Sequence, residues 1–350
     1  MYLKRLYLSL ILLCITFCCL GKPLVYIVAT GGTIAGTANS QTSSIYKAGS
    51  LTAEQITASV PEINNLADIK YVQLYNKDSG DITLNDWLML NKKVNELLAN
   101  SKVSAVIITH GTDTMEETAY LLNLTVKSNK PVVIVGAMRA ATALSPDGPL
   151  NLYNAAAVAV DKQSSGRGVL VVMNDGVYNA RDVIKTNTNS VDTFKSLNSG
   201  AIGIVNMGNV KYYMHGERKN TNATPFNIIN RQSLPNVAII YEYAGVNTTM
   251  LMNLLKDNTL KGIVFAGLGD GNIPNYESEF LRVAKKHGII LVRSSRVPSG
   301  VNTDNYNNLD ADYGTIAADD LSPQKARILL MLALTVTTDP NKIKQFFATY

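Results

Sequence analysis

From Pro23 onward the chain alternates short β-branched apolar runs with stretches whose apolar residues recur at helical spacing. Leu24–Ala29, Val103–Thr109, Pro131–Gly136 and Gly168–Met173 read as strands, and their nearly continuous apolar character marks strands covered on both faces. Leu84–Ala99 and Met115–Lys127 read as helices, the second opened by Thr114-Met115-Glu116-Glu117, a capping-box pattern. Such alternation predicts an α/β fold with a mostly parallel sheet flanked by helices. A polar stretch, residues 214–236, containing Asn220, Asn222, Pro225, Asn230 and Pro235, breaks the periodicity and reads as a linker. A smaller α/β unit then resumes, with strands expected at Val237–Tyr241, Gly262–Phe265 and Ile289–Val292 and helices at Glu277–Lys286 and Pro323–Thr335. Ser322 is the expected N-cap of the last helix, with Pro323 in its first turn. The expected organisation is a leader at 1–21, an N-terminal domain at 22–213, the linker, and a C-terminal domain at 237–350.

The leader bears on where the protein acts. Lys4 and Arg5 precede an apolar run from Leu6 to Leu20 that ends at Gly21, the pattern of a secretory signal. The run is shorter than the roughly 20 residues of a membrane span, so cleavage near Gly21, a periplasmic or secreted location and no membrane association afterwards are expected. All three cysteines, Cys14, Cys18 and Cys19, fall in this segment. The rest of the chain has no thiol for a disulfide, a zinc site or a cysteine nucleophile. A lipid anchor at Cys18 or Cys19 is the minor alternative. Of 32 basic residues two lie in the leader, leaving 30 against 27 acidic; a net +3, dispersed along the chain, gives no footprint for nucleic acid.

Candidate chemistry gathers where two strands run out into glycine turns. Thr33 follows Gly31-Gly32 after the first strand, and Thr112 follows His110-Gly111 after the second. At the carboxyl edge of a parallel sheet, hydroxyls and turn N–H groups emerge together, which suits a nucleophile beside an anion site. Gly31 and Gly32 can present backbone N–H groups with no Cβ in the way. A threonine alcohol needs a base and oxyanion donors to attack at neutral pH. The competing reading is that Thr30 and Thr33 only cap a turn. Nucleotide binding is not supported, because the glycines do not follow G-x-G-x-x-G and no Gly-Lys-Ser/Thr follows. Thr112-Asp113 supplies a second hydroxyl and a carboxylate, and Lys185 is a candidate to complete a Thr-Lys-Asp relay, although a lone lysine is more often a surface charge. His110, His215 and His287 show no ligand spacing, so no metal site is expected.

Read together, Ala29-Thr30-Gly31-Gly32-Thr33-Ile34-Ala35-Gly36, Thr109-His110-Gly111-Thr112-Asp113-Thr114-Met115-Glu116-Glu117, Asp147-Gly148-Pro149-Leu150-Asn151 and Arg293-Ser294-Ser295-Arg296-Val297-Pro298-Ser299-Gly300 resemble the bacterial type II L-asparaginases. The resemblance extends over nearly the whole chain after the leader. It implies hydrolysis of L-asparagine, and possible side activity on L-glutamine, without metal or organic cofactor, in a homotetramer with sites between subunits. By motif position Thr33 is implied as nucleophile, Tyr46 on the mobile segment Thr37–Ser50 as the residue that closes over substrate, and Thr112, Asp113 and Lys185 as the second relay. Backbone N–H groups near Gly32 and Thr112 are implied for the oxyanion, Ser79 for the substrate α-carboxylate and Asp113 for its α-ammonium.

Three positions depart from the family pattern: Gly80 where Gln or Glu is frequent, Tyr243-Ala244-Gly245-Val246-Asn247 on the segment that reaches a neighbouring site, and Asn307 where Glu is usual. Each removes a polar or acidic group that faces the substrate amine, with Asp81, Asn247 or Asp304 as candidate substitutes. Gly245, Asn247 and Asn307 are thus the cross-subunit candidates. Alternatives are a dual glutaminase-asparaginase and, from a different class, an exported amino-acid-binding protein that does not turn its ligand over.

Overall fold

The computed structural model describes residues 21–216 and 218–350; the leader expected at 1–21, with its cysteines, lies outside them apart from Gly21. The first sheet contains β1 (Leu24–Gly31), β2 (Asp68–Lys77), β3 (Val103–Thr109), β4 (Val132–Val135), β5 (Val169–Met173) and β6 (Gly176–Asn179). A two-stranded ribbon, β7 (Ile184–Lys185) and β8 (Phe194–Lys195), interrupts it before β9 (Gly203–Asn206) and β10 (Asn209–Tyr212) complete the eight strands, in the order β10-β9-β6-β5-β4-β3-β1-β2. From β2 to β5 all pairings are parallel, and the remaining three are antiparallel.

Strand periodicity accounts for the layers. Val25, Ile27 and Ala29 of β1 point into one core with the helix Gly148–Val160, while Val28 points into another with the helices Leu84–Ala99 and Met115–Thr125. The same alternation divides Ala105 and Ile107 from Val106 and Ile108 on β3. Side chains of period two on a sheet covered on both sides must be apolar at every position, and that explains the unbroken runs.

The second sheet is wholly parallel: β11 (Asn236–Tyr241), β12 (Leu260–Gly267), β13 (Ile290–Ser295) and β14 (Ile316–Ala317), in that order. Its helix Pro323–Ala333 has the expected cap, the Ser322 side chain accepting from the Lys325 amide. Tyr120, Leu121 and Leu124 of the first unit share one apolar core with Ile328, Leu329, Phe346 and Phe347 of the second. The stretch read as a polar linker feeds that core as well, with Phe226 and Ile228 fully buried.

The capping box expected at Thr114 is absent. Thr114 directs its hydroxyl to the Ser79 carbonyl instead, 2.9 Å away, and makes no side-chain cap. A reciprocal capping box occurs at the helix Leu84–Ala99, between Thr83 and Asp86.

Glu242, just past β11, and Glu277, at the start of the helix Ser278–Lys286, are both fully buried. Among the described residues their four carboxyl oxygens find no partner except the opposite carboxyl. Burial raises both, and the charge of Glu242 further pushes Glu277 up, to about 8. Folding therefore takes up a proton that the unfolded chain releases near its ordinary value of 4.5. This contribution to stability is complete below about pH 4.5 and is lost as pH rises through about 8. Glu277→Gln is expected to raise Tm at about pH 8.5 and to leave it nearly unchanged at about pH 5, by thermal denaturation at both values. A lower Tm at pH 8.5 contradicts the shared-proton pair.

Candidate functional site

The chain leaves β1 for β2 on one side and returns for β3 on the other, so the two connections diverge between β1 and β3. Open α/β sheets bind ligands at this switch point, outside the carboxyl ends of the strands. Here the Thr30 hydroxyl ties the strand ends together by donating to the Thr109 carbonyl at 2.8 Å.

Three turns meet above this point. Gly31 and Gly32 have φ of 108° and 80°. A Cβ on Gly32 would lie 2.3 Å from the Gly111 nitrogen, one on Gly31 would lie 2.3 Å from the Lys77 carbonyl oxygen, and one on Gly111 would lie 2.6 Å from Ser79 Oγ. The end of β1 and its turn thus touch β2 and the turn after β3 backbone to backbone, and the Ser79 side chain packs on Gly111, at separations that only glycine permits.

Thr33 begins a short 3-10 turn with its side chain almost fully buried. Its Oγ1 is 2.7 Å from Tyr46 Oη. Tyr46 is brought there by the segment Thr37–Ser50, which is pinned by reciprocal bonds between Thr37 and Lys47 at 3.1 and 2.9 Å and by the Leu144 amide donating to Gln41 at 2.9 Å. The Tyr46 ring lies where a Cβ on Gly36 would approach it to 2.8 Å.

Of the N–H groups expected near Gly32, its own is already taken. Gly32 donates its N–H to the Lys77 carbonyl at 2.9 Å, so it contributes a missing side chain, not an oxyanion donor. Among the described residues the amides of Thr33 and Thr112 have no acceptor, and both residues lie at the contact between turns.

Across that contact Lys185 Nζ donates to Thr112 Oγ1 at 2.9 Å and to Asp113 Oδ1 at 2.6 Å. Thr112 is buried, whereas the Asp113 side chain is 62% exposed and can meet a ligand. The Asp113 amide donates to Ser79 Oγ at 3.1 Å, leaving the Ser79 hydroxyl proton free to donate. His110, also buried, bonds the Gly111 carbonyl through Nδ1 at 2.7 Å, which puts the proton on that nitrogen; Nε2 then accepts from the Thr118 hydroxyl at 3.0 Å. The Thr118 hydroxyl in turn accepts from the Trp87 indole at 2.8 Å. Burial holds His110 down at about 4, so it is a neutral support for the turn.

The structure therefore gathers Gly32, Thr33, Tyr46, Ser79, Thr112, Asp113 and Lys185. Gly80 borders this group without a side chain, its amide donating to Asp78 at 3.0 Å. The cross-subunit candidates Gly245, Asn247 and Asn307 lie in the second unit and, among the described residues, are hydrogen-bonded to none of these. Asn247 caps the helix Thr248–Leu254, Gly245 turns with φ of 79°, and Asn307 donates to Asn272 at 3.0 Å. Glu116 reads in the sequence only as part of a helix start, yet its Oε2 accepts the Lys185 backbone N–H at 2.6 Å. Nothing local in the sequence marks that pairing, because it spans two distant segments.

The model described as Asparaginase, N-terminal matches residues 24–218, and that described as Glutaminase/Asparaginase C-terminal domain matches 236–347. The chain is 47% identical to L-asparaginase 2 of Escherichia coli over 100% of its own length and 99% of that protein. It is 49% identical to a protein of Haemophilus influenzae named "Probable L-asparaginase periplasmic", covering 94% of this chain and 93% of that one. The crystal structure of a "Probable Cytoplasmic L-asparaginase" from Campylobacter jejuni superposes with a TM-score of 0.91 at 44% identity, covering 94% of this chain and 100% of that one.

The contact between turns can be weighed against backbone strain alone. Gly32→Ala combines a positive φ with a 2.3 Å collision and is expected to cost about 2–4 kcal/mol. Gly200→Ala has a φ of 77° in open space and is expected to cost about 1–2 kcal/mol. Chemical denaturation of both variants measures the difference; equal losses contradict the contact.

Proposed function

Since this chain belongs to the asparaginase family, we propose that it hydrolyses L-asparagine to L-aspartate and ammonia, with Thr33 as nucleophile and an acyl-enzyme between the two steps. The observation that carries the reading is the meeting of two threonine hydroxyls at one switch point. Each is bonded to a group that can handle its proton: Thr33 to Tyr46 at 2.7 Å and Thr112 to Lys185 at 2.9 Å.

Substrate is held by both charges of its amino-acid backbone. Ser79 Oγ donates to the α-carboxylate, and the exposed carboxylate of Asp113 receives the α-ammonium while remaining paired to Lys185. That alignment points the side-chain amide at Thr33. Thr33 Oγ1 attacks the amide carbon as its proton passes to the Tyr46 oxygen and Tyr46 hands its own hydroxyl proton on to the leaving nitrogen, and the negative charge on the former carbonyl oxygen is met by the Thr33 and Thr112 amides. Each such donor is worth about 3–4 kcal/mol in the transition state. The C–N bond breaks, ammonia departs with the proton, and water cleaves the resulting ester with the Thr112–Lys185–Asp113 relay as base.

The family description includes glutaminase, and Gly80 and Asn307 leave the substrate amine with fewer polar partners than the family pattern provides. Turnover of L-glutamine accompanies that of asparagine, since a pocket discriminates one methylene by only about 1–3 kcal/mol. The relatives carry enzyme names, which weighs against a binding protein without turnover. We place the working enzyme in a homotetramer with Gly245, Asn247 and Asn307 facing a neighbour's site. The exposed Ile239 and Tyr241 on edge strand β11, with Tyr243 beyond it, support a covered face there. The basic-then-apolar leader supports export.

Thr33→Ala is expected to fold and to lose amide hydrolysis, measured as ammonia release from Asn and Gln in parallel with the wild type. Retention of more than about a hundredth of wild-type turnover rejects the nucleophile. In the wild type Gln is expected to fall about 10- to 200-fold below Asn in kcat/KM, and parity supports the dual enzyme instead.

A further inference from the structure

The relay lysine sits on weak scaffolding. β7 and β8 form a ribbon of two residues per strand outside both larger sheets, in which Lys185 pairs with Phe194 and one further backbone bond joins Thr186 to Thr193 at 2.8 Å. Backbone pairing of this extent does not fix a side chain to the tolerance that proton transfer requires, where a 1 Å error costs about a hundredfold.

Other groups hold the segment from two sides. On the side of the N-terminal domain, Glu116 accepts the Lys185 amide at 2.6 Å. On the other, Lys325 reaches over from the helix Pro323–Ala333 of the second unit, and its Nζ donates to the Arg181 carbonyl at 2.7 Å and to the Val183 carbonyl at 2.5 Å. Arg181, between them, donates to the Tyr350 carbonyl at 3.1 Å and pairs with Asp320 at 2.7 Å.

Lys325 is only 1% exposed. A buried ammonium is costly unless it is bound and balanced. Burial pulls Lys325 down to about 8; Glu116, Asp182 and Asp320 oppose that, and Arg181 adds to it. Burial raises Glu116, against the opposing charges of Lys325 and Lys185. The two residues thus balance each other across the backbone they grip.

We propose that Lys325 and Glu116 are positioning residues for the reaction: together they fix the backbone of residues 181–185 and hence the reach of Lys185 to Thr112. The second unit then serves the chemistry of its own chain, apart from anything it lends a neighbour. This inference rests on the relay reading of Lys185.

The test is a cycle of Lys325→Met, Lys185→Met and the double variant in the full-length enzyme, with steady-state kinetics on asparagine and a melting curve for each. Lys185→Met is expected to lower kcat by about a hundredfold. Lys325→Met is expected to lower kcat about tenfold with KM within about threefold, and the double variant to be no slower than Lys185→Met alone. If the two losses multiply, Lys325 acts elsewhere and the proposal fails while the relay stands. If Lys185→Met keeps wild-type kcat, the relay reading fails and takes the proposal with it. Should Lys325→Met not fold, Glu116 decides: Glu116→Gln, which retains an acceptor for the Lys185 amide, is expected to recover most of the kcat lost in Glu116→Leu. Equal losses overturn the proposal.

Discussion

The site depends on the direct contact of two glycine turns. With no Cβ on Gly32 or Gly111, the loops leaving β1 and β3 close against each other, and Ser79 packs onto Gly111 from the turn after β2. That closure brings Thr33 and Thr112 to one crevice and leaves the Thr33 and Thr112 amides without acceptors among the described residues. Any side chain at Gly32 would separate the threonines before it touched either. The parallel strands make such closure possible, since they deliver three loops to the same edge and hold their ends by sheet hydrogen bonds.

Around this rigid centre the remaining groups come from progressively less rigid parts of the chain. Tyr46 rides on a surface segment pinned at a few points, which suits the role proposed for it of admitting substrate and then covering it. Lys185 comes from a minimal ribbon and borrows order from Glu116 and from Lys325 of the second unit. The two buried acids Glu242 and Glu277 lie directly before the Tyr243–Asn247 segment and at the helix beyond β12, so the part of the chain proposed to face a neighbour begins at a buried pair whose carboxyls are both raised by burial.

Much of this is legible in the sequence. Strand β3 and the helix Leu84–Ala99 follow from periodicity alone, because burial on both faces or on one stripe leaves a plain pattern. The two threonine turns are visible too, since paired or single glycines that close a β-branched run mark a tight turn at the edge of a sheet. Lys185 is less so: a lysine near the end of a strand carries no local sign that its ammonium will meet Thr112, so its position makes it only a candidate and the family resemblance supplies the role. Thr114 misleads because a capping box and a hydroxyl aimed at a neighbouring turn have the same sequence. The acceptor for the Gly32 amide, the burial of Phe226 and Ile228 in a polar stretch, and the meeting of Glu242 with Glu277 all depend on segments that come together only in the fold.

Hydrolysis by the proposed route requires Thr33 to become covalently acylated. Rapid acid quench of the wild-type enzyme turning over asparagine, followed by peptide mass spectrometry, tests it most directly. One aspartyl ester is expected on the peptide that carries Thr33, and none on the peptide that carries Thr112. An ester on Thr112, or none on either peptide at time points when ammonia release runs ahead of aspartate, contradicts it.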